Sequence, residues 1–305
     1  MNDQSADPLL KPNVLSGVRI AISVSESTDL LRLGLLEIHF RLALAEIARS
    51  VLVSGGKLAY GGHLDSKGYT EMLVRELQRY SRRDKPLRIY LAWQEHRRLS
   101  KAEYDQQVED LGLSGEIVCL DAAGNRVEWG AGRGEDPDLI LDAGIRAQSL
   151  SNLRIHMSQQ ENGRVIIGGK RTGFDGVMPG ILEEATLSVK NRQSLYIAGG
   201  FGGVAADILS TIGILPVDWL PATQGPPIDA RLIAGLDQMR KLVDLNGGLD
   251  NGLSEVENAQ LAATHRPSEI AALVSLGLGR RFGVAPQTKT AGSSDPAAQN
   301  SDPPM

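Results

Sequence analysis

The sequence predicts an α/β fold of the Rossmann-like type, with a doubly wound, mostly parallel sheet and a C-terminal helical extension. Short apolar runs alternate with longer helix-like segments over residues 17–220, as in repeated β–α–β units. The runs are largely apolar, which suits a sheet that helices cover on both faces. Four of the runs end in small or Gly-rich turns that lead into a predicted helix, directly or after a short loop.

The five or six predicted strands are short and mostly apolar, and right-handed crossovers are expected between parallel neighbours. They cover residues 18–25, 57–60, 87–93, 115–120, 164–167 and 193–198. Helices are predicted over residues 34–53, 69–80, 100–110, 138–157, 179–189 and 204–212. Pro179 suits the first turn of its helix. Residues 121–137 are rich in Gly and charge, and they are predicted to form a loop.

The sheet pattern stops near Leu220, and Pro221, Pro226 and Pro227 predict a linker. Two or three further helices are predicted over residues 229–245, 253–265 and 267–282, packed either on the sheet or on a second copy of the chain. The last residues, 286–305, lack a core-forming pattern and are predicted to be disordered. The expected organisation is a flexible N-terminus (1–16), a nucleotide-binding domain (17–220), a helical extension (228–283) and this tail (286–305).

Composition narrows the function classes. The net charge of −5 gives no electrostatic reason to expect nucleic-acid binding. The single cysteine, Cys119, excludes an intrachain disulfide and suits a reducing compartment. No stretch approaches the roughly 18 to 20 apolar residues of a membrane span, and residues 1–16 do not resemble a signal peptide. The predicted location is therefore cytoplasmic. The five His residues show no metal-ligand spacing, so no metal site is predicted.

The turns after the predicted strands suggest an anion site. They lie at residues 23–27, 61–62, 168–169 and 199–203, and the last is the densest Gly cluster. In an open parallel sheet, ligands bind at the carboxyl ends of strands, where the strand order reverses. Glycine lets backbone N–H groups approach an anion, and a helix N-terminus adds partial positive charge. The sequence therefore predicts one phosphate-binding hollow where these turns converge. A P-loop is disfavoured, because no G-x-x-x-x-G-K-S/T motif is present.

Four segments resemble the SLOG superfamily, which includes LOG-type nucleotide phosphoribohydrolases, the DNA-uptake protein DprA and the ligand-sensing domain of TRPM channels. They are residues 22–27, 58–62, 167–185 and 196–203, and the resemblance covers roughly residues 17–215. It is closest to uncharacterised bacterial branches that accompany effector proteins in conflict systems. The resemblance implies a Rossmann-like fold, a nucleotide-type ligand and no other cofactor, and a homodimer.

LOG-type enzymes carry the motif P-G-G-x-G-T-x-x-E, whose turn holds the nucleotide phosphate and whose Glu assists cleavage of an N-glycosidic bond. Residues 179–184 resemble its end, which implies Glu183 or Glu184 as the glutamate and Arg154 as the upstream arginine. Here a loop separates Gly169 from Pro179, and no Gly-Thr pair directly precedes the acid. A carboxylate can stabilise an oxocarbenium-like state or activate water, and Arg can hold phosphate. Two Glu in a first helical turn also have a purely electrostatic explanation.

Three functions follow as alternatives: binding or sensing of an NAD- or ADP-ribose-type ligand, hydrolysis of a nucleotide or NAD N-glycosidic bond, and a non-catalytic interaction protein with architectural Gly turns. The altered glutamate motif favours the first. The candidate catalytic residues are Glu184, Glu183 and Arg154. The candidate ligand-binding residues are Ser23, Ser25, Glu26, Tyr60, Gly61, Gly62, Gly168, Gly169, Lys170, Arg171, Gly180, Gly199, Gly200, Phe201, Gly202 and Gly203.

Overall fold

A computed structural model describes residues 13–62, 64, 68–79, 84–219 and 229–283 of the chain. The predicted linker prolines and the predicted tail lie outside these residues, as do residues 1–12 of the predicted N-terminal segment. No helix in the described ranges combines the length and the apolar character that crossing a bilayer requires.

The described chain contains one seven-stranded sheet in the order β5-β4-β3-β2-β1-β6-β7. All neighbouring pairs are parallel except β4 and β5, which are antiparallel. This confirms the predicted Rossmann-like, mostly parallel fold. The strands are β1 (Arg19–Ser25), β2 (Lys57–Gly61), β3 (Leu87–Leu91), β4 (Gly115–Leu120), β5 (Arg126–Val127), β6 (Gly163–Gly168) and β7 (Ser194–Ala198).

The strand order reverses between β1 and β6. From β1 the chain adds β2, β3 and β4 on one side, and then crosses back to place β6 on the other side of β1. The register pairs Ser25 with Gly168, so the two strands end at the same level. Crossovers that leave neighbouring strands in opposite directions open a crevice at their carboxyl ends, where ligands of α/β proteins bind.

Ten α-helices flank the sheet in the described ranges, together with two short 3-10 helices at Leu31–Leu33 and Gly199–Phe201. The α-helices are α1 (Glu37–Val53), α2 (Tyr69–Gln78), α3 (Trp93–Arg97), α4 (Lys101–Leu111), α5 (Ala143–Ser158), α6 (Gly180–Lys190), α7 (Gly203–Thr211), α8 (Ala230–Asn246), α9 (Glu255–Ala263) and α10 (Pro267–Phe282).

Three local expectations were wrong. The predicted loop at 121–137 contains the short strand β5, and the predicted third strand stops at Leu91 because α3 begins at Trp93. Helix α5 begins at Ala143 rather than near residue 138, since the Asp142 side chain accepts a hydrogen bond from the Ile145 N–H and caps the helix there.

Side chains alternate between the two faces of the sheet, with one core cluster on the face covered by α1 and two on the other face. Ile20 and Ile22 of β1 pack with α1, α2 and α10, whereas Ala21 faces the side covered by α5. The C-terminal helices pack on this sheet, which is one of the two positions left open by the sequence. Asn251 is fully buried there. Its side-chain Nδ2 donates to the Leu195 backbone carbonyl at 2.8 Å, and its own backbone carbonyl accepts from Tyr196 Oη at 2.7 Å.

Candidate functional site

A cavity of about 380 Å³ opens at the carboxyl edge of the sheet, beside the point where the strand order reverses. It is bounded by the ends of β1, β2 and β3, by α5 and the start of α6, and by the loop that follows β6. The sequence-predicted residues that line it are Ser23, Ser25, Glu26, Tyr60, Gly61, Gly62, Arg154, Lys170, Gly180 and Glu184. Its position and size are those of a small-molecule site.

The first turn of α6 forms one wall of the cavity through Gly180 and Ile181. The N-cap residue is Pro179, and no side chain caps the helix. The first N–H groups of an α-helix have no partner within the helix, and the helix dipole places partial positive charge beside them. This wall therefore suits a phosphate or another anion.

Arg154 of α5 lies against the start of α6. Its Nη1 donates to Glu183 Oε2, and its Nε lies 3.7 Å from Glu184 Oε1. A Cβ atom added to Gly180 would lie 2.7 Å from Nη2 of Arg154, and one added to Gly176 would lie 2.8 Å from Nη1. The two glycines therefore make room for the guanidinium. The structure brings together the three residues predicted for catalysis, but as a buried ion-pair group rather than as separate side chains.

A second arginine, Arg164 of β6, lies directly beneath the cavity and is only 1% exposed. Its Nη1 donates to Ser23 Oγ at 2.6 Å and lies 3.1 Å from Glu184 Oε2. Its Nη2 donates to Glu161 Oε2 at 2.7 Å, and its Nε donates to Ser188 Oγ at 3.1 Å. Arg164 thus links Ser23, which lines the cavity, to Glu184 and Ser188 of α6. Arg164 was predicted to lie in a strand but not in the site, although its charge within an apolar run was an available signal.

The buried group carries unequal charges. Arg154 and Arg164 together face Glu161, Glu183 and Glu184. Burial raises the pKa of Glu161 to about 7; Arg164 opposes this shift and Glu184 adds to it. Three acids face two arginines, so one acid is in excess. Glu161, whose side chain is the most buried of the three, therefore holds a proton near neutral pH more readily than an ordinary Glu.

The two cations predicted after β6 have different surroundings. Lys170 lies at the cavity mouth, with its Nζ 3.3 Å from Glu26 Oε2. Arg171 points away from the cavity: its Nη1 lies 2.7 Å from Asp29 Oδ2, and its Nε donates to Asp207 Oδ2 at 2.6 Å. Burial alone would lower the pKa of Arg171. The bonds to Asp207 and Asp29 raise it by more than that, so the pKa is above its ordinary value. Arg171 therefore orders the loop after β6, and Lys170 is the cation at the mouth.

Several cavity residues were not predicted. Gln94 and Glu95 follow β3, a strand end that the sequence analysis did not include among the sites, although its position at the same sheet edge was predictable. Arg146, Tyr69 and Phe174 also line the cavity. Their contributions depend on how the helices and the loop fold over the sheet, and no local sequence signal identified them.

The Gly cluster at 199–203 does not line the cavity. An added Cβ at Gly200 would overlap the Thr264 carbonyl, and one at Gly202 would lie 2.5 Å from Cβ of Asp29. The Gly203 N–H donates to Asp29 Oδ2 at 2.7 Å, in a backbone with a φ of 69°. Phe201 is buried and packs edge-on against Phe40. The glycines here allow close packing between segments of the protein, while their predicted part in ligand binding stays a prediction.

Gly168 and Gly169 form the turn behind the cavity wall, with φ values of 71° and 116°. An added Cβ at Gly168 would overlap the Ser25 carbonyl, and one at Gly169 would lie 2.8 Å from Cβ of Val204. The pair brings the β1 turn, the loop after β6 and α7 close together. Gly168 and Gly169 thereby shape the cavity without lining it.

No group of three or more His, Cys, Asp or Glu side chains is arranged to hold a metal ion in the described ranges of the chain.

Comparison with known proteins identifies the family. The sequence model of the family described as SLOG cluster2 matches residues 14–261, from just before β1 into α9. No curated protein matches the chain in sequence. The matched region covers most of the chain, including the strand ends, α5 and α6 that surround the cavity and the predicted start of the helical extension. The chain therefore belongs to the SLOG cluster2 family.

Proposed function

We propose that the cavity binds a nucleotide-derived ligand of the NAD or ADP-ribose type, and that the protein acts as a binding or sensing module. The observation that carries this proposal is the uncapped N-terminus of α6, which opens on a cavity at the reversal of strand order. The family membership adds support, since SLOG proteins have a nucleotide-related Rossmannoid fold. The earlier resemblance favours a role in a bacterial conflict or signalling system.

The lining suits the parts of a nucleotide. The N–H groups of Gly180 and Ile181 and the ammonium of Lys170 suit phosphate oxygens. Hydroxyl and carboxylate groups at the end of β1, on Ser25 and Glu26, suit ribose hydroxyls. The apolar side of α5, with Leu150 and Leu153, suits the face of a base.

The ion pairs favour binding over turnover. A glutamate that stabilises an oxocarbenium-like state acts through uncompensated negative charge near the sugar. Glu184 has Arg164 Nη1 at 3.1 Å and Arg154 Nε at 3.7 Å, and Glu183 contacts Arg154. Both carboxylates are thus neutralised by guanidinium groups, and Arg154 is occupied by them rather than available to a phosphate.

A LOG-type N-glycosidase is the second candidate function, and one observation favours it. Glu184 lines the cavity at the start of α6, beside the predicted phosphate position, although it is mostly buried. A ligand whose phosphate displaced Arg154 from Glu184 would free part of that carboxylate for chemistry. The non-catalytic interaction protein is the third candidate, and the predicted dimer and cytoplasmic location also stay proposals.

Binding is tested with the full chain by calorimetric titration and thermal scans with NAD, ADP-ribose and AMP. A ligand at about 100 times its dissociation constant should add roughly 2.7 kcal/mol to the free energy of unfolding. Stabilisation without chemical change supports the proposal. An absence of response to all three compounds would contradict it and favour the interaction protein.

A matched pair of lysine variants locates the site. Lys170→Ala removes the cation at the cavity mouth and should weaken binding by about tenfold, as expected for a charge-assisted contact to phosphate. Lys241→Ala removes an exposed cation of α8 that pairs with Asp237, and should leave affinity unchanged. Equal affinities for the two variants would mean that Lys170 does not contact the ligand.

Turnover is tested by incubating the protein with the same compounds and separating free base by chromatography. The hydrolase predicts release of base that disappears in Glu184→Gln and Glu183→Gln. Thermal scans of both variants are needed alongside, because each substitution also disturbs a buried ion pair. Intact nucleotide after incubation with stable wild-type protein would reject the hydrolase and retain the binding module.

A further inference from the structure

A second cavity, of about 350 Å³, lies next to the first and shares Glu26, Tyr69 and Lys170 with it. The first is covered by α5 and α6, whereas the second is bounded by α1, through Glu37 and Phe40, and by the β1 turn. Each is near the lower limit of the roughly 300–1,000 Å³ typical of ligand pockets.

The partition between the two cavities is weak. Of the three residues that the cavities share, Lys170 and Glu26 form an ion pair whose side chains are 49% and 73% exposed. An exposed pair of this kind contributes little to stability, because water screens it and both side chains lose rotamer freedom. Lys170 can therefore leave Glu26 for a phosphate placed between the two cavities, without disturbing the fold.

The second cavity offers hydroxyl groups rather than an available cation of its own. Ser27, Thr28 and Thr172 line it, together with the ring edges of Phe40 and Tyr69. Its own arginine, Arg171, is held by Asp29 and Asp207. These groups suit a sugar and a flat ring, and they do not suit a second phosphate.

From this arrangement we propose that the site is bipartite and takes a dinucleotide: one nucleoside half in each cavity, with the phosphate link beside Lys170. The inference rests on the proposed function, which places one nucleotide unit in the first cavity and assigns no position to a second half. The ligand would straddle the carboxyl edge at the reversal of strand order, as dinucleotides do on doubly wound sheets. Thr28 and Thr172 would then contact only the second half.

The test compares AMP, which offers one half, with diadenosine pyrophosphate and with a phosphodiester-linked adenosine dinucleotide. Calorimetry on the full chain should show at least one dinucleotide binding about tenfold or more tighter than AMP, because the second half binds as a tethered group. The two dinucleotides distinguish a pyrophosphate from a phosphodiester link.

Two variants fill the second cavity from different segments. Thr172→Trp and Thr28→Trp replace exposed side chains that line only this cavity, so the fold should persist. Both should reduce dinucleotide affinity to within about twofold of that of AMP and leave AMP binding unchanged. Leu245→Trp, at an exposed position of α8, is the control and should retain the full difference.

The outcomes separate the two proposals. Equal binding of AMP and both dinucleotides by the wild-type chain would overturn the bipartite site and leave the proposed function standing. A dinucleotide preference that survives both tryptophan substitutions would also overturn it. If none of these three compounds binds, the bipartite site is overturned, while the proposed function fails only if NAD and ADP-ribose do not bind either.

Discussion

Two Gly-rich turns that look alike in sequence follow neighbouring strands at the same edge of the sheet. One is at residues 168–169, after β6, and the other is at residues 199–203, after β7. After β6 the chain continues as a loop over a cavity and then starts α6 without a cap. After β7 it enters α7 almost at once, and Asp29 and Thr264 fill the space against the glycines. Glycine after a strand thus indicates a close approach, but the approaching group can be protein as well as ligand.

The two regions also differ in charge. Beneath the first turn, Arg154 and Arg164 pair with three buried glutamates. At the second, a single buried acid, Asp29, accepts the Gly203 N–H and pairs with Arg171. Burial alone would raise the pKa of Asp29. The bonds from Gly203 and Arg171 lower it by more than that, so the pKa is below its ordinary value. The first region contains compensated charge next to an open volume, and the second is closed by packing.

The largest expected effect is on the buried ion pairs. Arg164→Met removes the partner of Glu161 and one partner of Glu184, and should reduce the free energy of unfolding by about 3–5 kcal/mol. Urea titration at pH 7.5 measures it. Arg126→Met, at an exposed position of β5, is the control and should change stability by no more than about 0.5 kcal/mol. A loss below about 1 kcal/mol for Arg164→Met would mean that the ion pairs do not hold this region together.

The next effect separates the two kinds of glycine. Gly200→Ala should destabilise the protein by about 3 kcal/mol, because the methyl group would meet the backbone carbonyl of Thr264, which cannot move aside. Gly180→Ala meets the guanidinium of Arg154 at 2.7 Å, which can shift only by adjusting its pairs with Glu183 and Glu184. Its cost should therefore be about 1 kcal/mol, smaller than that of Gly200→Ala. Its effect should instead appear as weaker nucleotide binding.

Thermal unfolding and calorimetric titration of the two glycine variants together measure this difference. If Gly200→Ala were as stable as the wild type, the packing role of the turn after β7 would be wrong. If Gly180→Ala bound nucleotide as well as the wild type, the wall formed by α6 would not contact the ligand.

The sequence predicted the regular elements well because each has a clear period and clear ends. Predicted ranges for β4 and α10 coincide with the observed Gly115–Leu120 and Pro267–Phe282. Short elements were missed: β5 has two residues and α3 has five, too few for a period to be recognised. The topology rule for parallel sheets then placed the strand-end residues 23–26 and 60–62 at one cavity, as observed.

The rest of the site depends on contacts that sequence order conceals. Ser23 and Arg164 are 141 residues apart, and their hydrogen bond follows from the pairing of β1 with β6. A strand pattern shows that Arg164 is within the sheet, but it does not show which helix covers it or which acids that helix brings. The covering of the 199–203 turn by Thr264 likewise depends on how α9 and α10 fold back, which local patterns do not encode.

A smaller effect concerns pH. The pKa of Glu161, about 7 in the folded protein, is above its unfolded value, so its contribution to stability is fully present below the unfolded value, is lost as pH rises from there through about 7, and changes little above that. The Glu161→Gln variant has no titrating carboxyl group at this position, so its stability does not fall with pH for this reason. The stability of the variant relative to the wild type should therefore increase by about 2 kcal/mol between pH 5 and pH 8. Urea titrations at several pH values measure this difference, and a flat or opposite trend would contradict the assigned protonation of Glu161.

A crystal structure of the full chain with ADP-ribose bound would locate the ligand. We expect a phosphate oxygen within about 3 Å of the backbone nitrogen of Gly180 or Ile181, the usual hydrogen-bond distance, with Lys170 turned from Glu26 towards it. ADP-ribose held at the 199–203 turn, or anywhere else with the α6 cavity left open, would contradict it.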